Sequence, residues 1–268
     1  MNSLAKVCVE ELVPEVAQAI EVDDIDTAKE ILIRRRQTHL DTLVDKLNET
    51  RVRHVIEPIL SGLTMDHIPL DDRDYVIDLG LVRRVDGGSL TIANPIYGEI
   101  IPRVLASGAQ DSLPRLKPVW LNADGSLNAE NLLDAFVSLW RRHGQPLLRT
   151  APYHEIAPHL VMMAFLHRVA NGGGTLDREY AIGSGRMDLL LRFGAQRLAF
   201  ELKTWRDSKR DPLERGLIQL DRYLDGLGIE TGWLVIFDQR SGLPPIEERT
   251  SAEIKTTPVG RTITLIRG

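Results

Sequence analysis

The sequence predicts a protein of the α/β (α+β) class, with a mainly helical first half and a second half that mixes helices and strands. Before residue 60, apolar residues recur with the helical period. After residue 170, three short strand-like segments are followed by an amphipathic segment and then by another apolar strand. A long apolar helix precedes these strands, so the predicted order in the second half is αβββαβ.

Composition limits the classes of protein to which this chain could belong. It has 268 residues, a formal net charge of −5 and 43% hydrophobic residues, which predicts a globular protein of one or two domains. The single cysteine, Cys8, excludes an internal disulfide and fits a reducing cytoplasm. No apolar run approaches the ~18 residues that span a bilayer, and the first residues lack a signal-peptide core. We therefore expect a cytoplasmic protein with no membrane partner. The mild acidity argues against a general nucleic-acid coat but leaves room for a local basic groove.

In the first half, helices are followed by a short hairpin. Asp86-Gly87-Gly88 separates two apolar runs, which is a strong hairpin signal. Pro95 can open the next helix. Helices followed by a hairpin are typical of a winged helix. The predicted elements are helices over 40–47, 52–60, 70–79 and 95–104, and strands over 81–85 and 89–93.

The second half begins after a stretch without periodicity. Gly108, Ser112 and Pro114 favour an irregular linker, which divides the chain into domains 1–106 and 120–268 with a linker at 107–119. Pro158 is expected to kink the helix in which it lies. The predicted elements are helices over 128–143, 152–170 and 211–227, and strands over 176–182, 186–193, 197–204, 232–238 and 261–266.

A polar face lies within an otherwise apolar hairpin of the second half. Side chains alternate between the two faces of a strand, so Asp188 on one strand and Glu201 and Lys203 on the next lie opposite the apolar residues. Two carboxylates and a lysine on a buried hairpin are costly unless they bind something, and Mg²⁺ prefers carboxylate oxygens. A structural ion cluster is the alternative. Because directly paired residues share a face, Asp188 meets Glu201 only if the loop has an even length or a bulge is present. The three loop residues 194–196 would therefore need Phe193 in the loop, or a bulge. We expect loss of Asp188 or Lys203 to leave the melting temperature close to that of the unchanged protein.

This hairpin resembles the PD-(D/E)XK nuclease superfamily. Its motif is an acid on one strand followed by (Asp/Glu)-x-Lys on the next, which Asp188 and Glu201-Leu202-Lys203 match. Met187 stands where the name of the superfamily has proline. The resemblance covers residues 120–268 and implies a restriction-endonuclease-like αβββαβ core.

Companion motifs occur in the order that the superfamily has. Gln219 and Tyr223 match the Gln-x-x-x-Tyr helix of its RecB-like branch. Glu155 and His159 stand in the place of its first helix, and the segment 183–188 reads Gly-Ser-Gly-Arg-Met-Asp. The Glu-x-x-x-His pair, this Gly-x-Gly-Arg-x-Asp segment and the Glu201-x-Lys203 strand follow one another in the order found in nuclease-like domains that are fused to bacterial AAA-type ATPases, which this part of the chain resembles.

The first half is similar to another part of those ATPases. The runs 72–82 and 92–97, within residues 1–105, resemble the lid and winged-helix region that follows their nucleotide-binding core. The core itself has no counterpart, because the sequence has no Gly-x-x-x-x-Gly-Lys-(Ser/Thr) motif. We therefore expect no specific ATP binding by this chain. It reads as the C-terminal part of a longer ATPase, and an ATPase domain or subunit is an expected partner.

The resemblance implies a metal-dependent nuclease acting on DNA. Mg²⁺ or Mn²⁺ would be held by Asp188, Glu201 and the carbonyl of Leu202, and Lys203 would orient or deprotonate the attacking water. The other implied site residues are Glu155, which is a third metal-side carboxylate or a surface acid, Gln219 and Tyr223, which support the site or contact DNA, and Arg186, which is a phosphate contact or a surface charge. Two alternatives stay open: a non-catalytic DNA-binding or docking module that contacts DNA through the winged helix, and a decayed product without a role.

Overall fold

The structure is a computed structural model that describes residues 3–13, 19–21, 24, 27–28, 31, 38–61, 68–85, 88–179 and 187–268. For residues 3–4, 38–41, 95, 178–179 and 187–188 it describes the backbone and not the side chain. Arg186 and the turn residues Asp86 and Gly87, all singled out from the sequence, lie outside the described residues.

The first half contains the predicted helices and hairpin. Its last helix is longer than predicted, because buried Ala106 continues the apolar stripe of Ile100 and Ile101 past residue 104. The side chain of Asn94 caps this helix by accepting the backbone N–H of Tyr97 at 2.9 Å. The elements are α1 (Ser3–Val7), which continues as a π-helical turn over Cys8–Leu12, then α2 (Thr38–Asn48), α3 (Thr50–Ser61), α4 (Leu70–Asp78), β1 (Val82–Arg84), β2 (Leu90–Ile92) and α5 (Pro95–Ser112).

The second half mixes helices and strands, as the sequence predicts. The order helix, three strands, helix, strand runs from α7 to β6, and a short helix and an unpredicted strand follow before the last strand. The elements are α6 (Ala129–Thr150), α7 (Ala157–Ala170), β3 (Gly174–Glu179), β4 (Met187–Phe193), β5 (Gln196–Trp205), α8 (Leu213–Leu227), β6 (Gly232–Asp238), α9 (Ile246–Arg249), β7 (Ser251–Thr256) and β8 (Thr262–Arg267).

The six strands β3 to β8 form one mixed sheet in the order β3-β4-β5-β6-β8-β7. The pairs β5–β6 and β6–β8 are parallel and the others antiparallel. Leu189, Phe200 and Val235 face the larger core, which includes residues of α6 and α7. Leu190 and Ala199 face the other side and pack with residues of α8. Both faces of the central strands are therefore covered by helices.

Glycine sets the position of α8. A Cβ at Gly216 would lie 2.7 Å from Cδ1 of Leu234, so the helix packs directly onto β6 at this point. The helix ends at Gly228, whose φ of 62° is the left-handed conformation that a C-terminal cap requires. This close packing brings the side of α8 that carries Gln219 against the sheet.

The helix before the three strands differs from its prediction. It begins at Ala157 rather than near residue 152, and Pro158 lies in its first turn, where a missing N–H costs nothing and causes no kink. Glu155 therefore lies in the turn before the helix and not on a helix face shared with His159.

The two halves of the chain contact each other directly. The hydroxyl of buried Tyr153 donates to the carbonyl of Leu47 at 2.8 Å, and one cluster of buried apolar residues runs from Leu43 to Ile266. The first residues of the predicted linker are helical, since α5 reaches Ser112. The division into domains at 1–106 and 120–268 stays a prediction. No helix of the described residues has the length and apolar character needed to cross a membrane.

Candidate active site

The register of the β4–β5 hairpin brings the two acidic positions together. Phe193 pairs with Gln196 across a two-residue turn in which Gly194 has a φ of 57°. The turn has the even length that this pairing was expected to need, but it arises because Gln196 joins β5 while Phe193 stays in β4. Asp188 is paired directly with Glu201, so the two positions belong to the same face of the sheet. The side chain of Asp188 lies outside the described part of the chain.

Glu201 is fully buried, with 0% of its surface exposed. Its Oε1 forms an ion pair with Nζ of Lys203, which is 7% exposed, while its Oε2 has no hydrogen-bond partner among the described residues. An unsatisfied buried carboxylate oxygen is costly, and a cation would satisfy it. Among the side chains that the structure describes, no group of three or more His, Cys, Asp or Glu is arranged to hold a metal. A metal here would therefore need Asp188 in addition to Glu201.

A cleft of about 460 Å³ opens at the C-terminal end of β5, beside Lys203. Its lining carries five basic and three acidic side chains, whereas the whole chain has a net charge of −5. This local excess of positive charge favours an anionic ligand such as a phosphate. The lining residues are Ser61, Glu155, Ile156, His159, Lys203, Thr204, Arg206, Lys209, Arg210, Asp211, Pro212, Glu214 and Arg215.

A buried histidine lies in the wall of this cleft. Nε2 of His159 and Oγ1 of Thr204 are hydrogen-bonded at 3.1 Å. Burial, together with the positive charges of Lys203 and Arg206, lowers the pKa of His159 to about 3. The imidazole is therefore neutral at pH 7, and it links α7 to the end of β5 without adding positive charge to the cleft.

This depressed pKa predicts a loss of stability in mild acid. Below an unfolded-state pKa of about 6.5, the unfolded chain binds a proton that the folded His159 does not, so the free energy of unfolding falls as the pH falls from about 6.5 to about 3. Between pH 7 and pH 5 this group should cost about 2 kcal/mol. Urea denaturation should show that loss in the unchanged protein and a smaller loss in His159→Gln. Equal losses in the two proteins would contradict the assignment.

Glu155 lines the cleft but is held by a neighbouring arginine. Nε of Arg206 donates to Oε2 of Glu155 at 2.9 Å, and a terminal nitrogen of Arg206 donates to the Glu155 carbonyl at 3.1 Å. The backbone N–H of Glu155 donates to Oε1 of Glu57 at 2.7 Å, and burial raises the pKa of the Glu57 carboxyl. Helix α3, which carries Glu57 and Ser61, therefore forms part of the same wall.

The remaining predicted residues lie around the site and not in the cleft. Gln219 is 8% exposed and its Oε1 has no partner among the described residues, while Tyr223 packs against the apolar cluster under α8. Neither is among the described residues that line the cleft. Leu202 lies in β5 between β4 and β6, with its side chain in the larger core. Its carbonyl as a ligand stays a prediction.

Sequence reasoning missed the basic side chains that follow β5. Arg206, Lys209, Arg210 and Arg215 all line the cleft. The signal was a segment directly after the Glu-x-Lys strand in which four basic residues alternate with three acidic ones, a mixture that is equally typical of a solvated loop. These residues place further positive charge in the cleft beside Glu201 and Lys203, which the sequence predicts as site residues.

The site combines three elements at one end of β5. Glu201 supplies a buried carboxylate, Lys203 a buried amine, and the adjoining loop a set of exposed cations. Such a set can hold a divalent cation beside a phosphate. Comparisons with protein-family models, with curated proteins and with solved structures found no match for this chain. The arrangement of these side chains is therefore the basis for the function below.

Proposed function

We propose that the chain is a metal-dependent hydrolase of phosphodiester bonds in DNA. The observation that carries this proposal is the fully buried carboxylate of Glu201. One of its oxygens is paired with Lys203, which lines a basic cleft, and the other has no partner among the described residues. A structural ion pair leaves the unpaired oxygen of Glu201 and the adjoining cleft without an explanation. A metal ion bound beside a phosphate would account for both.

The donor set fits Mg²⁺ or Mn²⁺. Glu201 offers the oxygen without a described partner, and Asp188 is paired with it directly across the hairpin. Asp188 and Glu201 would hold the ion, with the carbonyl of Leu202 as a further ligand. When bound, it would lower the pKa of a water and neutralise charge on the scissile phosphate.

Lys203 is the group of this chain best placed to act on the attacking water. Its Nζ forms an ion pair with Glu201 and also lines the cleft. If Glu201 turns its oxygens toward a cation, Lys203 loses its partner on that side and can donate to the water or to the phosphate oxygens. Lys209, Arg210 and Arg215 would contact phosphates on either side of the cleaved bond and fix the position of the strand.

The fold and the motifs support the same proposal. The order helix, three strands, helix, strand is that of the restriction-endonuclease-like core, and it occurs from α7 to β6. We infer membership of the PD-(D/E)XK superfamily in its RecB-like branch. The chain would act as the nuclease part of an ATPase–nuclease protein or system.

The rival proposal is a non-catalytic module that binds DNA through the winged helix. In that arrangement α4, directly before the β1–β2 hairpin, would enter the major groove. This helix carries Asp71, Asp72 and Asp74, whose charge repels phosphate, and Asp72 is already paired with Arg51 at 3.4 Å. The basic cleft is the more favourable surface for DNA.

Cleavage assays test the proposed function. Purified chain should cut single- or double-stranded DNA with Mg²⁺ or Mn²⁺ and leave it intact in EDTA, because the hydrolytic water requires the ion. A chain that is inert on both substrates with either metal, while still binding DNA, would favour the non-catalytic module.

A further inference from the structure

The last strand of the sheet, β7, is an exposed edge. Among the described strands, β7 pairs with β8 on one side only. All of its residues except Lys255 are exposed, and Ile254, with 66% of its surface exposed, is among the most exposed large apolar side chains described. Such an edge presents unpaired backbone groups that invite another strand.

The sequence of β7 is complementary to itself in one arrangement. Two copies related by a two-fold axis pair antiparallel. Each residue then faces the residue of the second copy that lies equally far from the axis on its other side. With the axis at Ile254, Glu253 opposes Lys255 of the second copy, and Ala252 opposes Thr256. Two ion pairs therefore form on one face, and the two Ile254 side chains pack together on the other.

Neighbouring registers lack this match. Facing residues must lie on the same face of the sheet, so the two-fold axis must pass through a residue. A shift of the axis by one residue, to Glu253 or to Lys255, places that residue opposite its own copy. Like charges directly opposite each other destabilise a strand pair. Within one chain, Nζ of Lys255 and Oε1 of Glu253 lie 3.3 Å apart, and both side chains are about half exposed, so they are free to exchange partners.

We propose that the chain forms a two-fold symmetric dimer by antiparallel pairing of β7 with β7 of a second copy, which joins the two six-stranded sheets into one. The contact is small, because it consists of one strand and its immediate side chains, so the dimer should be weak. The inference is independent of the proposed catalytic function, since β7 and the cleft share no residue.

Sedimentation equilibrium of the full chain from about 1 to 500 µM tests the dimer. The unchanged protein should show a monomer–dimer equilibrium. Glu253→Lys and Lys255→Glu should each weaken association about tenfold or more, because both ion pairs become like-charge pairs. The double variant should restore association, and so should a mixture of the two single variants, since each of these re-forms two Lys–Glu pairs.

Asp111→Lys, which changes an exposed residue of α5, is the matched control and should associate like the unchanged protein. Circular dichroism of each variant excludes loss of folding as the cause. Three outcomes would overturn the proposal: a chain that is monomeric at every concentration, a dimer insensitive to the single reversals, or single reversals that neither the double variant nor the mixture rescues.

Discussion

Replacement of Lys203 by alanine is expected to lower metal-dependent DNA cleavage by about 10²–10⁴-fold while divalent metal still binds. In the proposed mechanism the lysine acts on the attacking water or the phosphate charge, whereas carboxylates would hold the ion. Asp188→Ala should abolish cleavage through loss of a charged oxygen ligand. Lys117→Ala, which removes an exposed lysine far along the sequence, is the control and should cleave normally. Activity that survives Asp188→Ala would place the site elsewhere.

The thermal stability of Lys203→Ala should also show whether a cation can replace the lysine as the partner of Glu201. The polar strand face alone predicts a melting temperature near that of the unchanged protein. The buried ion pair changes this expectation for Lys203, because its loss leaves a fully buried carboxylate uncompensated, at a cost of about 3–5 kcal/mol. Differential scanning calorimetry in EDTA should show this loss, and Mn²⁺ should restore more stability to Lys203→Ala than to the unchanged protein. Equal effects of Mn²⁺ on both would argue against an ion at Glu201.

Removing three cations of the cleft is expected to weaken DNA binding strongly and to flatten its salt dependence. In the triple variant Lys209→Ala, Arg210→Ala, Arg215→Ala, the slope of log affinity against log salt should fall by about 0.9 for each phosphate that these side chains neutralise in the unchanged protein. Fluorescence anisotropy with Ca²⁺ in place of Mg²⁺ measures binding without cleavage. The matched variant Arg83→Ala, Arg84→Ala removes the exposed arginines of the β1–β2 hairpin and should bind nearly normally. The opposite result would favour the rival proposal, in which the β1–β2 hairpin and the helix before it contact DNA.

Local patterns were enough to predict the mixed α/β class and most of the helices and strands. The strand over 232–238 has the predicted bounds, because it is a short apolar run between turn signals. The predicted ends of helices were wrong where tertiary packing outweighs local sequence signals. Buried Ala106 lies past the predicted end of α5 and continues the helix, and Pro158 opens its helix rather than kinking it. The strand β7 was missed because both of its faces are exposed and no apolar alternation marks it.

The positions of Glu201 and Lys203 in the candidate site could be predicted from the sequence, whereas the basic side chains that line the cleft around Lys203 could not. Alternation along two strands places Glu201 and Lys203 on one face, and the register pairs Asp188 with Glu201. The cleft depends on how a loop, a turn before α7 and the end of α3 meet in space, which no single segment of sequence contains. For the same reason the partner of Glu155 proved to be Arg206, which lies 51 residues away along the chain.

Calorimetric titration of Mn²⁺ into the purified chain tests the central claim most directly, because it detects metal binding without reference to a substrate. The account predicts saturable binding by the unchanged protein, loss of that binding in Asp188→Asn, and unchanged binding in Glu247→Gln, an exposed carboxylate on α9. Asp188→Asn keeps the shape of the side chain, so its fold should be retained. Absence of Mn²⁺ binding by the unchanged protein, or equal binding by Asp188→Asn, would contradict the account.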